Sequence, residues 1–131
     1  MEESLALIIV GGVCSLLGLV MNVNPIKFDE DLYGRLDGDL SERETILRNF
    51  GAQLRCACGT LLIAIGIIAI LNRKLPTSDA ENLLVSLGIG FILLMGVIVA
   101  GFYRKFVDVI VIPPLVIFSV LTVICFYAGL M

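Results

Sequence analysis

There is no histidine in this chain, and no segment in which basic residues gather into a stripe. The first absence removes haem ligation by imidazole and most zinc chemistry. The second leaves nothing to grip a phosphate backbone, which excludes nucleic acid as a partner. Charge is missing on a larger scale too. Leu5–Met21, Cys56–Leu71, Leu83–Tyr103 and Val109–Met131 contain no Asp, Glu, Lys or Arg. The Ser and Thr residues in these blocks have no carboxylate companions, so no hydrolytic nucleophile with its base can be assembled there. The residues imply neither an enzyme nor a cofactor.

What is present is apolar: 59% of the 131 residues are hydrophobic. A bilayer crossing needs about 20 apolar residues. The two shorter blocks reach that length through Asn22 and Leu54–Arg55, because long side chains at a helix end extend to the interface. The expectation is an all-α, four-transmembrane-helix bundle, a single polytopic domain over 1–131. Its approximate spans are 5–22, 42–71 with a membrane part from about 54, 79–104 and 109–130. The fold must be helical, since lipid-facing backbone groups have to be satisfied within their own segment. The leader Met-Glu-Glu-Ser is acidic, unlike the basic start of a signal peptide, so Leu5–Met21 reads as a retained first helix.

The net charge of −3 originates in one place. Phe28–Glu44 carries Asp29, Glu30, Asp31, Asp37, Asp39, Glu42 and Glu44 against Arg35 and Arg43. Aligned as a calcium loop from Asp29, this segment fails at Tyr33 and again at Leu40, where a bidentate Glu belongs. It reads as a solvated acidic loop with an Asp37–Gly38 turn, entered where Pro25 ends the first helix. No metal site is expected. Cys14, Cys56, Cys58 and Cys125 lie in the spans as small apolar residues. Cys56 and Cys58, two apart on a helix, point about 200° away from each other and cannot chelate.

Ser41 and Glu44 form a capping box that starts the second helix well before its apolar block. From there to Leu71 is about 45 Å, so the first turns stand above the hydrocarbon. Glu44, Arg48 and Arg55 share one face of that helix. Ser78 and Glu81 suggest a second capping box for the third helix, which closes at Phe102, Tyr103, Arg104 and Lys105, at interface depth. Pro113 and Pro114 suit a first helical turn, placing the last helix from near Pro113, with Val107–Ile112 extended; a kinked continuous helix is the alternative. Small residues at Gly11, Ser15, Gly18, Gly51, Gly59, Gly88 and Gly96 are candidates for close helix packing. The distribution of Lys and Arg favours both termini outside and the acidic loop in the cytoplasm.

The start of the second helix and the end of the third lie on one side of a four-helix protein. Arg48, Arg55, Arg104, Asp108 and Glu44 are therefore the candidate ligand-binding residues. An ionisable residue in a span is a site by default. An arginine pair can hold a carboxylate or phosphate through its guanidinium fork. The structural alternative pairs Arg55 with Asp108, fixing one helix against the next.

Arg48 with Gly51, in "RNFGA", and Gly101 with Arg104 and Asp108, in "GFYRKFVD", resemble recurring positions of the DoxX-like group of small four-helix bacterial membrane proteins, in particular a family of unknown function within it. That resemblance implies a four-helix bundle in a bacterial inner membrane and no established reaction. The functional expectation is a non-enzymatic membrane protein, an accessory subunit or a binder of lipid or a small anionic amphiphile. Its partners would be membrane lipid and either further copies of itself or a larger membrane complex. The competing expectation, a small oligomeric transporter or channel, needs a polar path. The span centres offer only Ser15, Thr60, Ser86, Ser119 and Thr122.

Overall fold

A computed structural model describes residues 2–35 and 38–131. The turn expected at Asp37 falls outside the described residues. The order is α1 (Glu3–Val23), α2 (Pro25–Tyr33), α3 (Glu42–Leu71), α4 (Thr77–Tyr103) and α5 (Ile112–Leu130), with no strand among the described residues. Helices α1, α3, α4 and α5 are long and apolar enough to cross a membrane, with mean hydropathies of 2.4, 2.3, 2.8 and 2.1 over their most apolar windows. The fold is all-α and the chain is a multi-pass integral membrane protein. Leu16, Leu61, Leu93, Val97 and Val123 are 65–69% exposed. In water such surfaces would drive aggregation, whereas in a bilayer they face a solvent as apolar as themselves.

The helix ends show why each segment starts and stops where it does. The Ser41 capping box forms as expected: the Glu44 N–H donates to Ser41 Oγ at 3.2 Å and the Ser41 N–H to Glu44 Oε2 at 2.9 Å. The second expected box does not form. Helix α4 starts at Thr77 with Pro76 as its cap and no side-chain cap hydrogen bond. The Pro76 carbonyl accepts from the Asp79 and Ala80 N–H groups, both at 3.0 Å. Pro76, fixed at φ −53°, sets the entry to the helix and leaves Ser78 inside the first turn. Helix α4 ends in a Schellman motif: the Phe106 N–H reaches the Gly101 carbonyl and the Lys105 N–H reaches that of Phe102, each at 3.0 Å. Lys105 takes the left-handed position at φ +60°. The chain then leaves the helix until Ile112, and both prolines fall in the first turn of α5. The kinked continuous helix is therefore ruled out.

The chain folds as two compact units. One comprises Ala69–Met131 with the start of α1 up to Val10. In it α4 and α5 run antiparallel, as their contacts show by descending along one helix while ascending the other. The Phe91 and Phe118 rings stack with centroids 5.7 Å apart. A Cβ on Gly88 would sit 3.2 Å from Cys125, and one on Gly129 3.2 Å from the Leu84 Cβ. Leu84, Phe91, Phe118, Leu121 and Cys125 form the buried seam, at the three- and four-residue spacing of a helix pair.

The second unit, Gly11–Ile68, holds the rest of α1, with α2 and most of α3. Here the backbones of α1 and α3 touch. A Cβ on Gly59 would lie 2.7 Å from the Gly18 carbonyl oxygen, and one on Gly66 2.6 Å from that of Gly11 and 2.9 Å from the Ser15 nitrogen. A Cβ on Gly18 would likewise lie 2.7 Å from the Ile63 side chain. Small residues let two helices approach this closely in lipid, where no hydrophobic force drives them together. Gly51 and Gly96 instead have open space at the Cβ position, so neither carries a contact between described helices.

Candidate functional site at the membrane surface

The segment read as a solvated acidic loop contains a helix. Asn24 interrupts α1, and its side-chain oxygen accepts from the Lys27 N–H at 3.1 Å. Pro25 occupies the first helical position, where its missing N–H is not needed. The nine-residue helix that follows ends at Gly34, whose φ of +94° suits glycine alone.

Arg55 fastens this helix. Its Nε donates to Asp29 Oδ1 at 2.7 Å, with both side chains largely covered, 23% and 31% exposed. The guanidinium also lies 5.3 Å from the Phe28 ring centroid, within cation–π range. The carboxylate that Arg55 meets is Asp29, from the preceding helix. Arg55 stands about 24 Å from the end of α3 at Leu71. That is close to one edge of a hydrocarbon layer about 30 Å thick. With Leu71 taken as the far edge of the span, the pair holds α2 towards the headgroups.

Two faces of α2 are set apart by helical geometry. Ile26, Asp29, Glu30 and Tyr33, spaced i, i+3, i+4, i+7, line an open cleft of about 410 Å³. Arg35, Leu40 and Arg48 close its other sides. Arg48 lies on the same face of α3 as Arg55, about 10 Å farther from the membrane. It has no ion-pair partner among the described residues. Glu44, its neighbour at i−4, is committed to the capping box. The cleft therefore offers two guanidiniums, Arg35 and Arg48, beside the Tyr33 hydroxyl. Of its two acidic groups, Asp29 is already engaged by Arg55, which leaves Glu30. The opposite face of α2 carries Asn24, Lys27, Phe28 and Asp31 at the same spacing.

Of the five expected ligand residues, Arg48, Arg55 and Glu44 belong to this unit and only Arg48 lines the cleft. Arg104 and Asp108 belong to the other unit, where the Arg104 guanidinium lies 4.6 Å from the Phe106 ring centroid. Lys27, Asp29, Tyr33 and Arg35 were not singled out as site residues from the sequence. The signal that could have found them is Asn24-Pro25, a helix-start pair, followed by two interleaved sets at helical spacing. Comparison with family models, curated proteins and solved structures finds no match to this chain.

Proposed function

We propose that this chain is a non-enzymatic membrane protein that binds a lipid or small anionic amphiphile at the membrane surface, through Arg48 and Arg35. The supporting observation is the cleft beside α2, where Arg48 has no ion-pair partner among the described residues. A phosphate or carboxylate entering it accepts hydrogen bonds from a guanidinium fork, the geometry that favours arginine over lysine. Ile26 and Leu40 receive the start of the apolar tail, and Tyr33 adds a hydroxyl donor. Binding orders the arginines without breaking an ion pair among the described residues, so little interaction energy is lost on entry.

The test is a titration of the full chain, in a mild maltoside detergent, with dodecyl phosphate, bound copies being counted by native mass spectrometry. An ion pair between exposed groups is worth about 0.2–1 kcal/mol, so Arg48→Gln is expected to weaken binding by about two- to fivefold. Thermal unfolding should hardly change, because Arg48 is exposed. If Arg48→Gln and Arg35→Gln both bind dodecyl phosphate as the unmodified chain does, the assignment is wrong.

A further inference from the structure

From the second face of α2 we infer a separate site for one phospholipid with a phosphoethanolamine headgroup, its phosphate on Lys27 and its primary ammonium on Asp31. The groove there has a volume of about 530 Å³. Its floor is the last two turns of α1, where Leu16, Leu19, Val20 and Val23 are 52–83% exposed. These residues cover about 10 Å of helix, the depth of the upper part of an acyl chain. Phe28, Lys27 and Asp31 line it from the α2 side. An apolar trough capped by charged groups at headgroup depth matches a molecule that is itself apolar below and charged above.

The two charges decide which headgroup fits. Lys27 and Asp31 are one helical turn apart on the same face, about 5–6 Å between Cβ atoms. Both are exposed, and they do not form an ion pair with each other. The cation and the anion are therefore both available, at a separation a zwitterion can bridge. A phosphate accepts from the Lys27 ammonium, and a primary ammonium donates to the Asp31 carboxylate. A choline headgroup has no N–H to donate. A glycerol headgroup leaves its uncompensated negative charge beside Asp31. The site is thus complementary to phosphoethanolamine and selects against both neighbours by different means. It shares no lining residue with the Arg48 cleft, although a shallow space lined by Asn24, Lys27 and Asp31 together with Ile26, Glu30 and Arg35 lies between the two.

The test presents the full chain carrying Arg35→Gln and Arg48→Gln, which removes the anion-binding arginines of the cleft, with dioleoyl phosphatidylethanolamine, phosphatidylcholine and phosphatidylglycerol at equal concentration in mild detergent. Native mass spectrometry then counts the lipid retained. The ethanolamine lipid is expected to be retained about threefold over either competitor, the size of one exposed ion pair. Asp31→Asn should lower it to the choline level, and Asp31→Lys should turn the preference towards the glycerol lipid. The unmodified chain, with the cleft arginines restored, should retain more glycerol lipid but the same ethanolamine excess over choline, which separates this site from the cleft. Equal retention of the three lipids or a glycerol-lipid preference in the chain without the cleft arginines, or an unchanged preference when Asp31→Asn is added to it, would each overturn the assignment.

Discussion

Arg55 and Asp29 hold α2 against α3, and the strength of that hold can be worked from the geometry. Their 2.7 Å contact is a charge-assisted hydrogen bond, worth about 1.5–3 kcal/mol when well covered. Solvent-exposed ion pairs measure about 0.2–1 kcal/mol. With side chains 23% and 31% exposed, this pair falls between those limits, at about 1.5 kcal/mol. The Phe28 contact adds about 0.5–1 kcal/mol that depends on Arg55 alone. Arg55→Gln should therefore destabilise the docking of α2 by about 2 kcal/mol and Asp29→Asn by about 1.5 kcal/mol. The double variant should be barely worse than Arg55→Gln, because each single change has already removed the same bond. Hydrogen exchange of the α2 amides, followed by mass spectrometry in detergent, reads this as local opening. Protection should drop more than tenfold in each single variant, while the α4 amides keep theirs. Additive effects in the double variant, or unchanged exchange across α2, would refute the claim that this pair holds the helix.

Two further outcomes test the packing and the helix ends. Gly59→Leu forces side-chain atoms into the Gly18 carbonyl and the Met21 side chain, so it should cost about 3 kcal/mol or prevent folding; Gly12→Leu, placed in open space, should leave the thermal midpoint unchanged. Lys105→Gly removes the left-handed strain at φ +60° and should stabilise the chain by about 1 kcal/mol, seen as a raised thermal midpoint.

Where the sequence was legible, a local rule met no competitor. The four spans follow from uninterrupted apolar blocks, because the bilayer permits no other use for them. The start of α3 was readable because Ser41 and Glu44 find each other three residues apart, whatever the rest of the chain does. The start of α4 was misread for the converse reason: Ser78 and Glu81 match the same pattern, but Pro76 fixes the backbone two residues earlier. Helix α2 was hidden by composition. Its acidic residues suggested solvent, and its few apolar residues are divided between two faces, so no single apolar stripe stands out. The partner of Arg55 could not be read for the same reason. With α2 taken as loop, Asp29 has no fixed position, and only Asp108, a carboxylate expected on the same side of the membrane, offers itself as a structural alternative.

The two arginines on one face of α3 differ because they stand at different depths. Near the hydrocarbon edge an unpaired guanidinium is costly, and the cost rises inward to about 2.5–3.5 kcal/mol at a span centre on insertion scales. Arg55 stands at that edge, and it is the one with a carboxylate and an aromatic ring against it. Two turns farther out, headgroups and water solvate a guanidinium, so Arg48 needs no internal partner to be stable. That freedom is what a binding residue requires, since a ligand that displaces only water meets no competing ion pair. The same two turns account for the latch and for the open cleft. Moving the Arg48 side chain one turn inward, as in the paired change Arg48→Ala with Ala52→Arg, would bring a second guanidinium towards the hydrocarbon edge with no carboxylate assigned to it.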